Sequence, residues 1–513
     1  MYRLLFIILL VSTLNASAQV SRLGQNIVYM GEASATISEH DIAPFWLSAN
    51  RYGLEPVAGN TMYLRGALSR DLATDSHLKW RIGYGADLVA YGQGKVNVGQ
   101  RTLATSKDSA SVFIHQLYGQ IEYNAALRLT VGSKEFDNEF ANRYLSTGGM
   151  TSGFNARPIP QVRIETPAYI PVPLTDHWFR VKVMVAYGWF TDSKWQRKTI
   201  GADKLRTSNS LYHAKSIYLK LGDEARFPLT MTGGLEFATQ FGGETWNVKK
   251  RSDDLSDTDL SHVNMGNGLR SYWNALFMGG SDPNDGDYKN VGGNHLGSWH
   301  GSLNYMGDGW DIRGYFEHFF EDHSQLFWQY GWKDMTWGIE THLPQNPVAS
   351  NIVVEYLSTR DQTGGIYHDA TSNLPVQISG IDNYYNHHVY GAWQHWGMNI
   401  GNPLLLSPLY NDRSELRVQH SRVQAIHIGL AGDPMPCLHY RMLYTNMRSW
   451  GTYYNPLTDT ERGQFMLAEL TYNPPRLNGW SFTAAAAMNS GKLLKRGSGA
   501  TLTVRKTGWI NKK

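Results

Sequence analysis

Short stretches of strict alternation between apolar and polar residues recur along the chain. The clearest runs from Phe179 to Phe190. Phe179, Val181, Val183, Val185, Tyr187 and Trp189 share one face, and Arg180, Lys182, Met184, Ala186 and Gly188 the other. Trp80, Ile82, Tyr84, Ala86 and Leu88 oppose Arg81, Gly83, Gly85 and Asp87 in the same way. Leu229, Met231, Leu235 and Phe237 oppose Thr230, Thr232, Glu236 and Gln240, and Leu438, Tyr440, Met442 and Tyr444 oppose His439, Arg441 and Thr445. A period of two marks a strand with one apolar and one polar face. Alternation alone fits a soluble sandwich as well as a transmembrane barrel.

The connections separate the two. Short links fall at 73–79, 124–126, 167–178, 222–228, 306–309, 342–350, 432–437 and 473–479, with turn chemistry such as Gly307-Asp308-Gly309 and Asn473-Pro474-Pro475. Longer links alternate with them at 91–111, 136–161, 191–210, 241–294, about 323–330, 360–416, 450–462 and 489–499. Outer-membrane barrels are built this way, with short periplasmic turns and long outer loops. The first short link then needs a strand before Met62. Residues 27–38 supply it and leave 39–61 as a further outer loop, where Ser38–Ala58 has room for a short helix. Eight turns and nine loops join about 18 strands and leave both termini on the periplasmic side. The fold class expected is all-β: a transmembrane antiparallel β-barrel forming one domain over 19–513, its lumen occluded by inward-folded segments. Thr501–Arg505 through Trp509 reads as the closing strand, although four residues follow Trp509 where barrels usually end on an aromatic. Leu326–Trp337 and Val389–Met398 are also strand-like and shift the number to sixteen or twenty if counted differently.

Composition agrees. Aromatics make up 12% of the 513 residues, Gly numbers 51, charged residues are only 18%, and mean hydropathy is −0.39. No stretch approaches the ~18 apolar residues of a membrane-spanning helix, and the ring content excludes a disordered chain. A net charge of +3 gives no reason to expect nucleic acid. Arg3, the apolar Leu4–Val11 and Ala16-Ser17-Ala18 read as a secretory signal peptide over 1–18, with Gln19 as the mature N-terminus. The single cysteine, Cys437, allows no intrachain disulfide, and no cysteine follows the cleavage site to carry a lipid. It lies in a turn-like segment and reads as an incidental thiol.

Lumen-facing charges, among them Arg65, Arg81, Asp87, Glu122, Lys182, Glu236 and Arg441, are expected to be solvated inside the barrel. Three other segments crowd polar and aromatic residues. In Tyr144–Arg163, the prolines of Arg157-Pro158-Ile159-Pro160 stiffen an extended backbone. Asn155, Arg157, Gln161 and Arg163 on that track can hydrogen-bond a sugar hydroxyl or a carboxylate. The same loop, folded inward, makes a plug. In Glu317–His323, strand spacing sends Glu317, Glu321 and His323 one way and His318 and Asp322 the other, which splits any metal site or catalytic carboxylate pair. The third segment holds Asp382, Asn383, Tyr384, Tyr385, Asn386, His387 and His388, followed by Trp393, His395 and Trp396. Rings beside carboxamides and imidazoles suit carbohydrate, and Tyr and Trp also form barrel girdles. No nucleotide loop, nucleophile elbow or zinc-protease helix is present, and the acidic run from Asp253 to Asp259 lacks calcium-loop spacing. No cofactor, metal or catalytic residue is expected.

Pro44-Phe45-Trp46-Leu47, Asn50-Arg51-Tyr52-Gly53 and Gly153-Phe154-Asn155-Ala156-Arg157-Pro158-Ile159-Pro160-Gln161 resemble the capsule assembly Wzi family of outer-membrane proteins. Phe319-Phe320-Glu321-Asp322-His323, Asn383-Tyr384-Tyr385-Asn386-His387 and Ile400-Gly401-Asn402-Pro403-Leu404-Leu405 extend the resemblance over most of the chain. It implies an eighteen-stranded outer-membrane barrel acting as a lectin, which holds capsular or related polysaccharide at the cell surface without converting it. The helical bundle of better-known members has little room here. The partners expected are surface polysaccharide and outer-membrane lipid, with a monomeric barrel. Two other functions are open: a porin-like channel for sugars, using Arg65, Arg81, Arg180 and Lys182, and a hydrolase centred on Glu317–His323. Whether 136–161 and 360–416 fold inward and block the lumen separates binding from transport.

Overall fold

The computed structural model describes residues 23–93, 110–249, 260–277, 293–321, 332–364, 367–368, 378–379, 382–411 and 415–512. Eighteen antiparallel strands close into a barrel. In chain order they are β1 Ile27–Ser38, β2 Thr61–Arg70, β3 Trp80–Gln93, β4 Ala110–Tyr123, β5 Leu127–Ser133 and β6 Gln161–Glu165. They continue as β7 Phe179–Trp189, β8 Leu211–Leu221, β9 Leu229–Phe241, β10 Asn294–Met306, β11 Asp311–Glu321 and β12 Met335–His342. The last six are β13 Asn351–Ser358, β14 Val423–Met435, β15 Leu438–Gly451, β16 Pro456–Tyr472, β17 Trp480–Gly491 and β18 Gly497–Ile510. The sixth strand is broken: Ile170–Pro171 resumes its pairing with β7. Closure is made by β1 on β18, from Ile27 opposite Ile510 to Ser38 opposite Gly499, so no edge is left to pair with another chain.

The alternation read from the sequence is the barrel's inside–outside pattern. On β7, Phe179, Val183, Val185 and Trp189 are exposed outward while Met184 and Ala186 are buried inside. On β9, Met231 is outward and Thr230 and Glu236 are buried. Exposed rings gather where the short turns begin and end, at Trp80, Tyr123, Trp178, Phe227, Tyr305, Trp310 and Tyr472. Trp80 packs on Tyr123 at 4.7 Å and Tyr305 on Trp310 at 5.6 Å. This is an interfacial girdle, with the ring bodies in hydrocarbon and their polar atoms at the headgroups.

Two outer connections expected to be long are short. Chain 450–462 turns between Gly451 and Pro456, and 489–499 between Gly491 and Gly497. The ladders continue past the apolar band, with Ser449 opposite Glu461, because backbone pairing persists in water after apolar alternation stops. Val389–Met398 is not a barrel strand. It folds into two small ladders, Asn386–His387 with Gly391–Ala392 and Gln394–His395 with Met398–Asn399. Of Leu326–Trp337, only Met335–Trp337 is strand, at the start of β12, and 326–331 lie outside the described residues. Residues 1–18, where the sequence suggests a signal peptide, the acidic run 253–259, Asp322 and His323 also lie outside them. The room for a helix in 38–58 is filled by one turn, Phe45–Ser48. Two further α-helices follow among the described residues: Ser193–Ile200, and Leu269–Phe277, which rests on the outer wall, where Tyr187 Oη donates to Tyr272 O at 2.9 Å and Phe241 packs on Tyr272.

Candidate functional site

Three segments from the long-loop side, 39–60, 134–160 and 382–411, turn into the lumen. Their apolar side chains meet the inward faces of the strands in one core. Trp46, Leu145, Met150, Tyr384, Tyr385, Trp393 and Leu404 pack with Phe319, Val353, Leu357, Met447 and Phe465 of the wall. Phe45 stacks on Phe465 at 4.7 Å, and Phe319 meets Tyr384 edge-on at 4.8 Å. The inward-folded segments expected from the sequence are therefore present.

Backbone polarity explains how a loop is held there. The 142–152 segment forms no ladder, so its N–H groups need partners. Wall carboxylates supply them. Thr147 N donates to Glu355 Oε2 at 2.7 Å, Met150 N to Glu317 Oε1 at 2.8 Å, and Asn142 Nδ2 to Glu340 Oε1 at 2.6 Å. Ser152 Oγ donates to Glu236, and Tyr385 N to Glu321. Glu317 and Glu321 thus face the plug, whereas His318 turns away and stacks on Trp332 at 4.6 Å. Among the described residues no cluster has the makings of a metal site.

The charges expected to be solvated are paired instead, because the plug removes the water. Arg65 forks onto Asp87 at 2.9–3.0 Å, Arg81 meets Glu122 at 3.0 Å, and Lys182 meets Glu139 at 2.6 Å. Glu469 takes both Arg51 of the plug, at 2.7 Å, and Arg441 of β15, at 2.9 Å. Arg180 binds Glu224 at 2.6 Å. Buried charges persist only when paired in this way. Burial alone raises the Glu135 carboxyl. The hydrogen bond from His115, with Arg143 and Arg65 close by, overrides burial and holds it down to about 2.

The structure distributes the predicted site residues rather than gathering them. Asn155 is fully buried. It accepts from Asn50 N at 3.1 Å and donates to Asn399 O at 3.1 Å, which locks two plug segments together. Tyr384, also without exposed surface, donates to Asp334 at 3.1 Å, and Trp393 Nε1 donates to Thr151 O at 3.1 Å. Asn386 exchanges hydrogen bonds with Val418 at 2.8 Å and donates to Asn383 at 3.0 Å. Asp382 accepts from Thr363, and His387 Nδ1 accepts from Val389 N and Tyr390 N at 3.1 and 3.2 Å. These residues spend their polar atoms on the plug. Gln161 and Arg163 line a cavity of about 130 Å³ beside it, with Lys182 and Glu236. There Arg163 pairs with Glu165 at 2.6 Å and lies over Phe136 at 4.2 Å.

Arg157 is placed differently. Its guanidinium sits 3.7 Å from the Phe113 ring and 4.7 Å from Trp396, at the long-loop mouth, and remains partly exposed. Trp396 neighbours Trp195 at 6.0 Å, and Tyr91 neighbours Phe113 at 6.1 Å. The ring cluster is anchored by Trp396 Nε1 donating to Thr191 Oγ1 and by His395 Nδ1 on Arg157 O, at 3.1 and 2.9 Å. Arg157 Nε donates to Gly53 O at 3.4 Å, and the Tyr91 hydroxyl and Asp192 lie close; among the described residues no carboxylate forms an ion pair with it, and burial brings its guanidinium down to about 10. A second set lies at the same mouth, with Arg422 over Tyr453 at 3.8 Å and Arg360 over Trp450 at 4.5 Å. Sequence reasoning placed Trp396 in its third polar-aromatic segment but left Tyr91, Phe113 and Trp195 out of the site. Tyr91 and Phe113 come from two strands and Trp195 from the helix Ser193–Ile200, and no local spacing joins them.

A closed barrel with a lipid-facing apolar wall, an aromatic girdle and short turns at one rim is an outer-membrane protein, with its long-loop mouth at the cell surface. No family model matches the chain, and no curated protein does. Among solved structures, it is similar to Wzi of Escherichia coli, an outer-membrane protein involved in group 1 capsule assembly and described as a carbohydrate-binding β-barrel. The TM-score is 0.51 at 12% identity, over 95% of this chain and 86% of that one. OccAB4 of Acinetobacter baumannii aligns over 94% of this chain and 98% of its own, at 10% identity and a TM-score of 0.45. OccD3 of Pseudomonas aeruginosa aligns over 95% and 92%, at 8% identity and 0.45. These are likenesses of fold.

Proposed function

We propose that this protein is a non-enzymatic, lectin-like barrel that binds capsular or related polysaccharide and retains it at the cell surface. The observation that carries the reading is Arg157, an arginine without a carboxylate partner, clamped between Phe113 and Trp396 at the cell-surface mouth. Rings stack on the apolar face of a pyranose, and a guanidinium takes a sugar hydroxyl or carboxylate in its fork. The Arg422–Tyr453 and Arg360–Trp450 pairs offer further contacts along the same mouth. Several weak contacts on one polymer give avidity beyond any single site. In this reading Asn155, Tyr384 and Trp393 hold the plug that presents Arg157. The barrel sits as a monomer in outer-membrane lipid after loss of residues 1–18.

The alternative, a porin-like sugar channel, needs a continuous aqueous path. The core packed across the lumen, with its charges in ion pairs, supports retention over conduction. Deleting the gene and measuring polymer on washed cells and in the medium tests the proposal. Retention predicts unchanged total polymer with a shift into the medium. Polymer that stays on the cells contradicts it.

A further inference from the structure

The wall formed by β14–β18 and β1 carries a graded outer surface. Even-numbered residues of β14–β17 face outward: Ile426, Met442, Leu470 and Met488 are exposed, while Ala425, Leu443, Leu467 and Ala487 are buried. Register aligns the outward residues in rows across the strands. One row runs Leu430, Met442, Ala468, Ala486, Ala500, Ile37; the next toward the cell surface runs Ile428, Tyr444, Met466, Met488, Ser498. The alanines sink between larger neighbours, and the two rows form an apolar groove of about 920 Å³. Above them comes a row that begins with the exposed Ile426 and continues with the neutral polar Asn446, Gln464 and Ser490, and above that Gln424, Arg448 and Arg462.

Arg448 and Arg462 are register partners on the same outward face, and both are exposed. Like charges directly opposite destabilise a sheet, and among the described residues neither has a carboxylate in ion-pair reach. They stand four residues beyond Tyr444 and Met466, about 13 Å along the strands. The turn after β17 adds exposed Lys492 and Arg496, and Lys492 N donates to Arg462 O at 2.7 Å. Glu39, the carboxylate that lines the groove, is engaged by Ser498 N at 3.0 Å.

We propose that this groove binds a phosphorylated, multiply acylated glycolipid of the outer leaflet. Its acyl chains lie along the alanine rows, its sugar and amide groups meet Asn446, Gln464 and Ser490, and a phosphate lies between Arg448 and Arg462. Guanidinium groups fork onto phosphate, and the anion converts a repulsive pair into a bridged one. The succession of apolar, neutral polar and cationic rows matches the order of chemistry in such a lipid from chain to headgroup.

Native mass spectrometry of the full barrel, extracted in mild detergent, is expected to show one glycolipid adduct per chain. The Arg448→Gln/Arg462→Gln variant should retain it about tenfold less. Ala486→Trp, which fills the groove without changing charge, should also lose it; heat-modifiable migration verifies that both variants fold. Delipidated protein in phosphatidylcholine nanodiscs should enrich bisphosphorylated lipid A and not its dephosphorylated form. Equal retention by the double variant, equal enrichment of the dephosphorylated lipid, or burial of the groove in a dimer overturns the proposal.

Discussion

The main-chain N–H of Met150 donates to Oε1 of Glu317 at 2.8 Å, so a lumen loop hangs on a carboxylate of the barrel wall. Thr147 N does the same on Glu355 at 2.7 Å, and Tyr315 Oη holds the other Glu355 oxygen at 2.7 Å. The wall therefore supplies acceptors where the loop has donors, and the plug is built from both.

Removing those acceptors should loosen the plug without breaking the barrel. A buried donor left without its acceptor costs about 1–3 kcal/mol. Glu317→Ala/Glu355→Ala is expected to lower the thermal transition and to show conductance bursts in planar bilayers, where the parent protein is quiet. Glu317→Gln, which keeps an acceptor, should lie between the two. A double variant as silent as the parent counts against the carboxylates as the plug's tether.

Acidification acts on His387. Burial pushes its imidazole down to about 3, and Nδ1 accepts from Val389 N and Tyr390 N only while unprotonated. A folded pKa below the ordinary value of about 6.5 gives stability that is complete above 6.5 and is lost as pH falls toward 3. Asp334, pushed up to about 6 by burial, works in the opposite sense, so a His387→Gln comparison isolates the histidine. Exchange of the Val389 and Tyr390 amides, corrected for intrinsic rates, should accelerate from pH 7 to pH 4 in the parent and stay flat in the variant. A flat profile in both overturns this assignment.

The barrel and the presence of inward-folded segments were legible, and the contacts that hold those segments were not, for a physical reason. Lipid on one side and a filled lumen on the other impose a period of two, and a one-residue slip turns every side chain over. Hence Ile27–Ser38 and the 222–228 and 473–479 turns could be read from spacing alone. The β15–β16 hairpin was misjudged because Thr458, Thr460 and Arg462 lie beyond the apolar band, where pairing leaves no apolar signature. Glu317 stood out as part of a polar cluster, but its partner is a backbone N–H 167 residues away, which no side-chain pattern reveals. The mouth around Arg157 draws Phe113 from a strand, Trp195 from a helix and Trp396 from a plug segment, so Arg157 and Trp396 could be singled out separately but not joined.

The helix Leu269–Phe277 presents Leu269, Trp273 and Phe277 outward at 90%, 64% and 61% exposure, four residues apart and so on one face. It should dip into the outer membrane interface. A nitroxide at Trp273→Cys in a Cys437→Ser background is expected to be reached by oxygen and shielded from a nickel chelate. Equal access by both reagents places the helix in water.

The claim that Arg157 and its rings hold the polymer is tested most directly by titrating purified barrel with surface polysaccharide from its own cells. Arg157→Ala should weaken binding about tenfold, a loss of about 1.4 kcal/mol. Arg157→Lys should recover little of it, because an ammonium lacks the planar fork that stacks and donates twice. Cys437→Ser, in a short turn at the opposite rim, should bind as the parent does. Binding unchanged in Arg157→Ala contradicts the account, and so does a parent barrel that binds no polysaccharide at all.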